Sequence, residues 1–404
     1  MNARWTGLIA ATSALLGSGV CTASAVNAVS LRPTSTRVAA TARADISPGG
    51  ASACNALSTL NRMSLEQRVG QMFMVGTPAT AASATVLDQI SRYHVGNVFL
   101  SGRSTSGTAT PARTTAALRA RVTASSTAGT PLFIATDQEG GYVQVLQGAG
   151  FSRIPTALTQ GSWSSSTLQR SAATWARQLA GVGVNLNLAP VAGTVPSAAA
   201  ARNNPPIGVF QREYGYTSYA TAAGSSAFVR GMDDGGVGAT TKHFPGLGIV
   251  TGNTDTTYGV HDRQTSASSA YLNPFATDIN DGASAVMMSS AIYDKIDPST
   301  LAVFSPKVVN LVRQRGFTGP IMSDDLGNAV QPGRWPVANR AINALYAGVD
   351  LILTVNPAVV PVMYNAILQM AQGSPYWSKK VDNAAYEVLL GKERRGLLGS
   401  SCVG

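Results

Sequence analysis

From about residue 69 onward, short apolar runs recur along the chain. Each is closed by a polar or glycine-bearing turn, and stretches of helical periodicity fill the gaps. The runs fall at 69–75, 95–100, 131–136, 184–189, 237–243, 285–289, 320–323 and 349–354. They are continuous rather than alternating, which predicts strands buried on both faces. Helical patterns occupy 85–93, 113–125, 166–180, 216–233, 306–315 and 339–347. Ser64, followed three residues later by Gln67, has the spacing of a capping box and predicts a helix start there. Strands alternating with helices imply a parallel sheet. Eight such strands suggest closure, so the expected fold is α/β, a single (β/α)8 TIM-type barrel domain. No glycine-rich fingerprint follows the first strand, which argues against a dinucleotide fold. The roughly 50 residues after the eighth run look helical and leave no room for a second domain.

Composition narrows the class. Apolar residues are 45% of the 404, enough for a large core, whereas charged residues are only 12% and the net charge is +10. The basic residues are scattered. Their densest group, Lys392, Arg394 and Arg395, reads as the tail of a final helix. No basic stripe with interleaved aromatics is present, so nucleic acid is not the expected partner. Weak attraction to an anionic cell wall is compatible with the charge. At the N-terminus, Arg4, the apolar stretch 8–20 and the small residues Ala23, Ala25 and Ala28 read as an export signal over 1–28. That stretch is too short to span a bilayer, and no later segment is long enough for stable membrane insertion. Cys21 raises a lipoprotein, but Ser18, Gly19 and Val20 fit a lipidation box poorly, so a secreted protein is expected. Residues 29–52, rich in Ser, Thr, Ala and Pro, read as a disordered linker before a domain at 53–404. Signal removal leaves Cys54 and Cys402, which an oxidising compartment would pair, with two unpaired thiols as the alternative. Two isolated cysteines lack zinc-site spacing, and no metal or organic cofactor is expected.

In such a barrel, chemistry gathers at the C-terminal strand ends. The third expected strand ends in Asp137, Gln138, Glu139 and two glycines. The fifth ends in Lys242 and His243, and the seventh in Ser323, Asp324 and Asp325. Asp324 should emerge partly desolvated at the barrel mouth, where a carboxylate can attack an anomeric carbon. An Asp there also suits a helix N-cap, a role that fits Asp325 better. Lys242 and His243 suit sugar hydroxyls, or else a structural ion pair and a satisfied histidine. Asp137 could bind hydroxyls or hold a turn. Glu139, two residues later, is expected to point elsewhere. Arg212, in a long connection after the fourth strand, could hold a hydroxyl or an anion, or make a surface salt bridge. Glycines 246, 248 and 252 mark a loop to about residue 262 that reads as mobile. His94 should lie at the opposite barrel end.

These residues carry a resemblance. The segments SLEQRVGQMFM (64–74), TDQEGGYVQVL (136–146), NLNLAPV (185–191), KHFPGLG (242–248) and IMSDDL (321–326) resemble the bacterial β-N-acetylglucosaminidases of glycoside hydrolase family 3, in their secreted actinobacterial branch. The resemblance implies a (β/α)8 barrel and a retaining two-step mechanism. It implies Asp324 as nucleophile and Asp137, Lys242, His243 and Arg212 as substrate ligands. Three departures stand out. The family's KHFPGHG and later Asp-Ser-His become KHFPGLG and Asp255-Thr256-Thr257, so the acid/base imidazole is missing. Tyr142 and Val145 stand where the family has arginines. The loop from Gly248 to Asp255 is two residues longer. Proton donation then falls to Asp255, with His261 as second candidate.

The implied activity is removal of terminal β-linked N-acetylglucosamine from cell-wall or chitin-type oligosaccharides. The alternatives are a related β-glucosidase, xylosidase or phosphorylase, and a non-catalytic carbohydrate-binding protein that has lost its acid.

Overall fold

The computed structural model describes residues 54–399. The expected export signal, the linker and the Cys54–Cys402 pairing lie outside the described residues. Eight parallel strands follow one another around a barrel: β1 (Phe73–Pro78), β2 (Asn97–Ser101), β3 (Phe133–Thr136), β4 (Leu186–Asn187), β5 (Gly238–Phe244), β6 (Ala285–Met288), β7 (Ile321–Met322) and β8 (Ile352–Thr354). β8 pairs with β1, placing Phe73 opposite Ile352, and Met322 bridges Leu351 to close the ring. The expected (β/α)8 fold is the fold observed.

Five of the eight apolar runs contain their strand with the ends trimmed, and β2 and β5 run one residue past theirs, to Ser101 and Phe244. The first is divided. Ser64 and Gln67 do form the reciprocal capping box, and the helix they start continues through Gln71, so Val69 packs as a helical residue and the strand begins at Phe73. One crossover helix escaped the apolar pattern. Asn273–Asn280, between β5 and β6, is short, carries Pro274 in its first turn and buries only Pro274, Phe275 and Asp278. The last two helices, Val360–Gly373 and Pro375–Arg394, close the chain against the first two.

Two apolar layers result. One lies between the strands and the surrounding helices. The other fills the barrel, with Met74, Phe99, Phe133, Leu186, Leu188, Met287, Met322 and Leu353 pointing inward. Side-chain layers make this interior a core rather than a pore. At its N-terminal end Lys392 acts as a plug. It is no surface tail residue but fully buried, donating to Gln71 Oε1 at 2.7 Å and to the Gly96 carbonyl at 3.0 Å, with its Nζ 5.7 Å from the centre of the Phe133 ring. Its neighbour Arg395 pairs instead with Asp233 at the surface.

Burial pushes the Lys392 amine from its usual 10.5 down to about 7. Between those values the unfolded chain holds a proton that the folded chain has released, so stability rises with pH across this window. The cost of burying the amine is fully felt below about pH 7 and vanishes toward pH 10.5. Lys392→Met should therefore flatten the rise in urea midpoint between about pH 7 and 10, read from denaturation curves at matched ionic strength.

Candidate active site

The C-terminal strand ends surround a cavity of about 340 Å³. Its floor is the upper layer of the barrel interior, with Phe99, Leu188, Met287 and Leu353 on it. Its polar wall carries Asp137, Arg212, Lys242, His243, Asp255, Asp324 and Asp325. The structure thus brings together every expected sugar-site residue except His261.

A buried charge cluster organises one wall. Lys242 Nζ lies 2.6 Å from Asp137 Oδ1 and 2.6 Å from Glu139 Oε1. Arg212 grips the same Glu139 with two parallel bonds, Nε to Oε2 at 2.9 Å and a terminal nitrogen to Oε1 at 2.8 Å, and donates to the Pro206 carbonyl at 2.7 Å. Burial alone would push the Glu139 carboxyl up, but the Arg212 and Lys242 charges outweigh it and hold it at about 2. Burial would likewise discharge Lys242; Asp137 and Glu139 prevent this and raise its pKa. The expectation that Glu139 points away fails on strand geometry: residues two apart in extended chain share a face. Both carboxylates therefore reach the same ammonium. Arg212 is correspondingly a half-buried bidentate partner rather than a surface one.

Both cations are engaged by this pair of carboxylates, which leaves Asp324 without one. Its Oδ1 accepts only the Asp325 N–H at 2.9 Å, and its Oδ2 stands 3.8 Å from His243 Nε2, beyond a hydrogen bond. Burial pushes the Asp324 carboxyl up to about 7, and repulsion from Asp255 adds to it. His243 offers no compensating charge. Burial, then the Arg212 and Lys242 cations, push its pKa well below the usual value, so the ring is neutral. Its Nδ1 is buried without a hydrogen-bond partner among the described residues. Two cis peptide bonds, Lys242–His243 and Phe244–Pro245, end β5 beneath these side chains. No helix starts directly after Leu326, so neither aspartate caps one; the Asp325 carboxylate instead ties down the turn, accepting the N–H groups of Gly327 and Asn328 and that of Val355 from the end of β8.

Asp255 reaches the cavity from the loop after β5 and lies at the exposed rim. Partial desolvation and the neighbouring carboxylates Asp325 and Asp137 raise its pKa against the pull of Arg212. The loop itself, expected to be mobile, is tied down. Asn204 Nδ2 donates to the carbonyls of Leu247 and Val250, Tyr293 donates to that of Gly246, and the N–H groups of Gln331 and Val330 bond to the carbonyls of Thr254 and Asp255. A Cβ at Gly248 would fall 1.8 Å from the Thr194 carbonyl oxygen, so only glycine lets the backbone pass. His261 lines no part of the cavity. It forms a short strand pair and holds Asp294 Oδ1 at 2.6 Å through Nδ1. His94 bonds the Ser126 carbonyl at the entrance to β2.

The sequence model of the Glycosyl hydrolase family 3 N terminal domain matches residues 64–390. This chain belongs to glycoside hydrolase family 3. Among relatives in that family, a beta-hexosaminidase of Xylella fastidiosa strain M12 is 32% identical over 342 residues, covering 81% of this chain and 92% of that enzyme. The solved beta-N-acetylhexosaminidase of Beutenbergia cavernae DSM 12333 superposes with a TM-score of 0.81 at 49% identity, covering 82% of this chain and 99% of that one. A family 3 beta-N-acetylglucosaminidase of Paenibacillus sp. str. FPU-7 superposes with a TM-score of 0.75 at 28% identity, over 85% of this chain and 64% of its own.

Against the family 3 pattern, the departures now have positions. Leu247, at the first missing histidine, is buried in the apolar layer outside the barrel. Thr257, at the second, is exposed on the loop. Val145 is core, whereas Tyr142 is 60% exposed.

Removing one member of the charge cluster tests its role. Glu139→Gln would leave the buried Lys242 with Asp137 alone and Arg212 without a carboxylate partner. A loss of about 3 kcal/mol in stability is expected, with a large fall in turnover, read from urea midpoints and steady-state rates. A variant of unchanged stability and activity would show that the cluster is incidental.

Proposed function

We propose that this chain is a retaining exo-β-N-acetylglucosaminidase, exported from the cell, that removes terminal N-acetylglucosamine from cell-wall or chitin-type oligosaccharides. The observation that carries this reading is Asp324: a half-buried carboxylate without a cation, lining the cavity beside neutral His243 and the charge-paired wall. The hexosaminidase activities of the Xylella and Beutenbergia relatives support an N-acetylhexosamine as the sugar. The sequence features that support export are the signal-like first 28 residues and the low charge content.

The chemistry follows from the electrostatics. Asp137, Lys242, His243 and Arg212 present donors and acceptors to the ring hydroxyls and orient the sugar. An Asp324 oxygen bonds to the anomeric carbon as the bond to the leaving oxygen breaks, and Asp255 gives that oxygen its proton. Water then attacks the same carbon, Asp255 takes the water's proton, and Asp324 is released. Asp255 and Asp324 repel each other, so on the acid side of neutrality they hold one proton between them. In the free protein that proton favours the more buried Asp324. Positive charge growing on the sugar ring favours ionised Asp324 and protonated Asp255, the arrangement that reacts.

The one-proton form is thus the active one. kcat/KM should rise with pH as the first proton leaves and fall as the second leaves near pH 7. Asp324→Asn should abolish release of nitrophenol from its N-acetyl-β-glucosaminide. Asp255→Asn should keep much of that activity, because nitrophenol needs little protonation, and lose its alkaline limb. Cleavage of a natural disaccharide should fall by about 10²–10⁴. Full turnover by Asp324→Asn would refute the assignment. Undiminished disaccharide cleavage by Asp255→Asn would move the acid elsewhere.

A further inference from the structure

The segment that delivers Arg212 and the loop that delivers Asp255 meet at one buried side chain. Asn204 is 2% exposed. Its Nδ2 donates to the carbonyls of Leu247 at 2.7 Å and Val250 at 2.8 Å. Its Oδ1 accepts the N–H groups of Ile207 at 3.1 Å and Gly208 at 2.9 Å. A carboxamide offers two donors and two acceptor sites, so its whole capacity is used. No other side chain of that length supplies both halves: aspartate lacks the donors and leucine would leave buried backbone groups unpaired.

Each half leads to a residue of the catalytic cavity. The turn at Ile207 and Gly208 runs into Arg212, whose N–H bonds the Ile207 carbonyl at 3.2 Å and whose guanidinium bonds the Pro206 carbonyl at 2.7 Å. Leu247 and Val250 open the loop that carries Asp255. Both halves also crowd Gly193, where a Cβ would fall 2.8 Å from the Ile207 side chain and 3.3 Å from the Leu247 nitrogen. Asp255 depends on such a fixture. Its carboxylate makes no hydrogen bond among the described residues; only its backbone is held, N–H to Asn253 Oδ1 at 2.9 Å and carbonyl to the Val330 N–H. A short side chain with no tether of its own goes where its loop puts it.

We propose that Asn204 is the positioning residue for the proton donor. By fastening the loop at Leu247 and Val250 to the turn that carries Arg212, it sets where Asp255 stands relative to the sugar that Arg212 and its partners orient. The proposal rests on the reading of Asp255 as the acid and adds the part that aims it.

Asn204→Asp separates the two halves. It keeps the acceptor for Ile207 and Gly208 and turns an oxygen toward the carbonyls of Leu247 and Val250, releasing the loop alone. Backbone amides of residues 247–255 should then exchange faster with deuterated solvent in the intact chain. For N,N′-diacetylchitobiose, kcat should fall about ten- to a hundred-fold at little-changed KM, whereas the nitrophenyl glycoside, which needs little protonation, should lose less than about three-fold. Tyr293→Phe is the milder second variant: it removes one bond to the Gly246 carbonyl, keeps the ring, and should move the ratio of the two rates the same way by less. In an Asp255→Asn background neither change should slow the disaccharide further, because the group being aimed is gone. Equal slowing of both substrates, or slowing that persists without Asp255, would overturn the proposal. If Asp255→Asn alone leaves disaccharide cleavage intact, the acid reading fails. Faster exchange of the loop in Asn204→Asp would then uphold the clamp without the acid, and unchanged exchange would sink both.

Discussion

The bond between Lys242 and its two carboxylates is the constraint on which the site depends. A buried ammonium is costly unless it is paired and hydrogen-bonded. Here Asp137 and Glu139 come from one strand end and Lys242 from another, with Arg212 brought in by a long connection. Four side chains from three segments are fixed by one another. The consequence is electrostatic as well as geometric. Both cations are committed to this cluster, so Asp324 faces the cavity without a counter-charge, and burial raises its pKa to about 7. The wall proposed to orient a sugar and the carboxylate proposed to attack it are two results of one pairing pattern.

The barrel makes that pattern affordable. Its interior apolar layer reaches up to the cavity floor through Phe99, Leu188, Met287 and Leu353, which keeps the charged wall dry from below. A second line of buried polar contacts supports β5 from behind: Thr241 donates to Asp278, which also accepts from Ser225. Asp278 is itself pushed up to about 7 by burial, consistent with a carboxyl surrounded by hydroxyls rather than cations.

Much of this was legible in the sequence. The eight apolar runs and the capping box at Ser64 located the barrel because buried parallel strands and helix caps leave local signatures. The strand-end residues Asp137, Lys242, His243 and Asp324 were legible because a parallel strand turns polar where it meets the mouth. Other features were hidden because they depend on distant partners. Helix Asn273–Asn280 has too few apolar residues to show periodicity. Lys392 looked like a surface charge because nothing nearby in sequence announces Gln71 and Gly96. Glu139 had a usable signal, since its spacing of two from Asp137 puts both on one face. The pinning of the loop after β5 was unreadable, as it rests on Asn204, some 43 residues before Leu247.

That pinning has a bearing on how molecules come and go. A rim fastened by Asn204, Tyr293 and the backbone of 330–331 behaves as the fixed lip of an open bowl, not as a shutter. Ligand entry and departure then need no hinge to swing, and the end of a long, stiff polymer can be presented as readily as a small fragment. Exclusion of solvent falls instead to the substrate, whose own ring must cover the reactive carboxylates once it is seated.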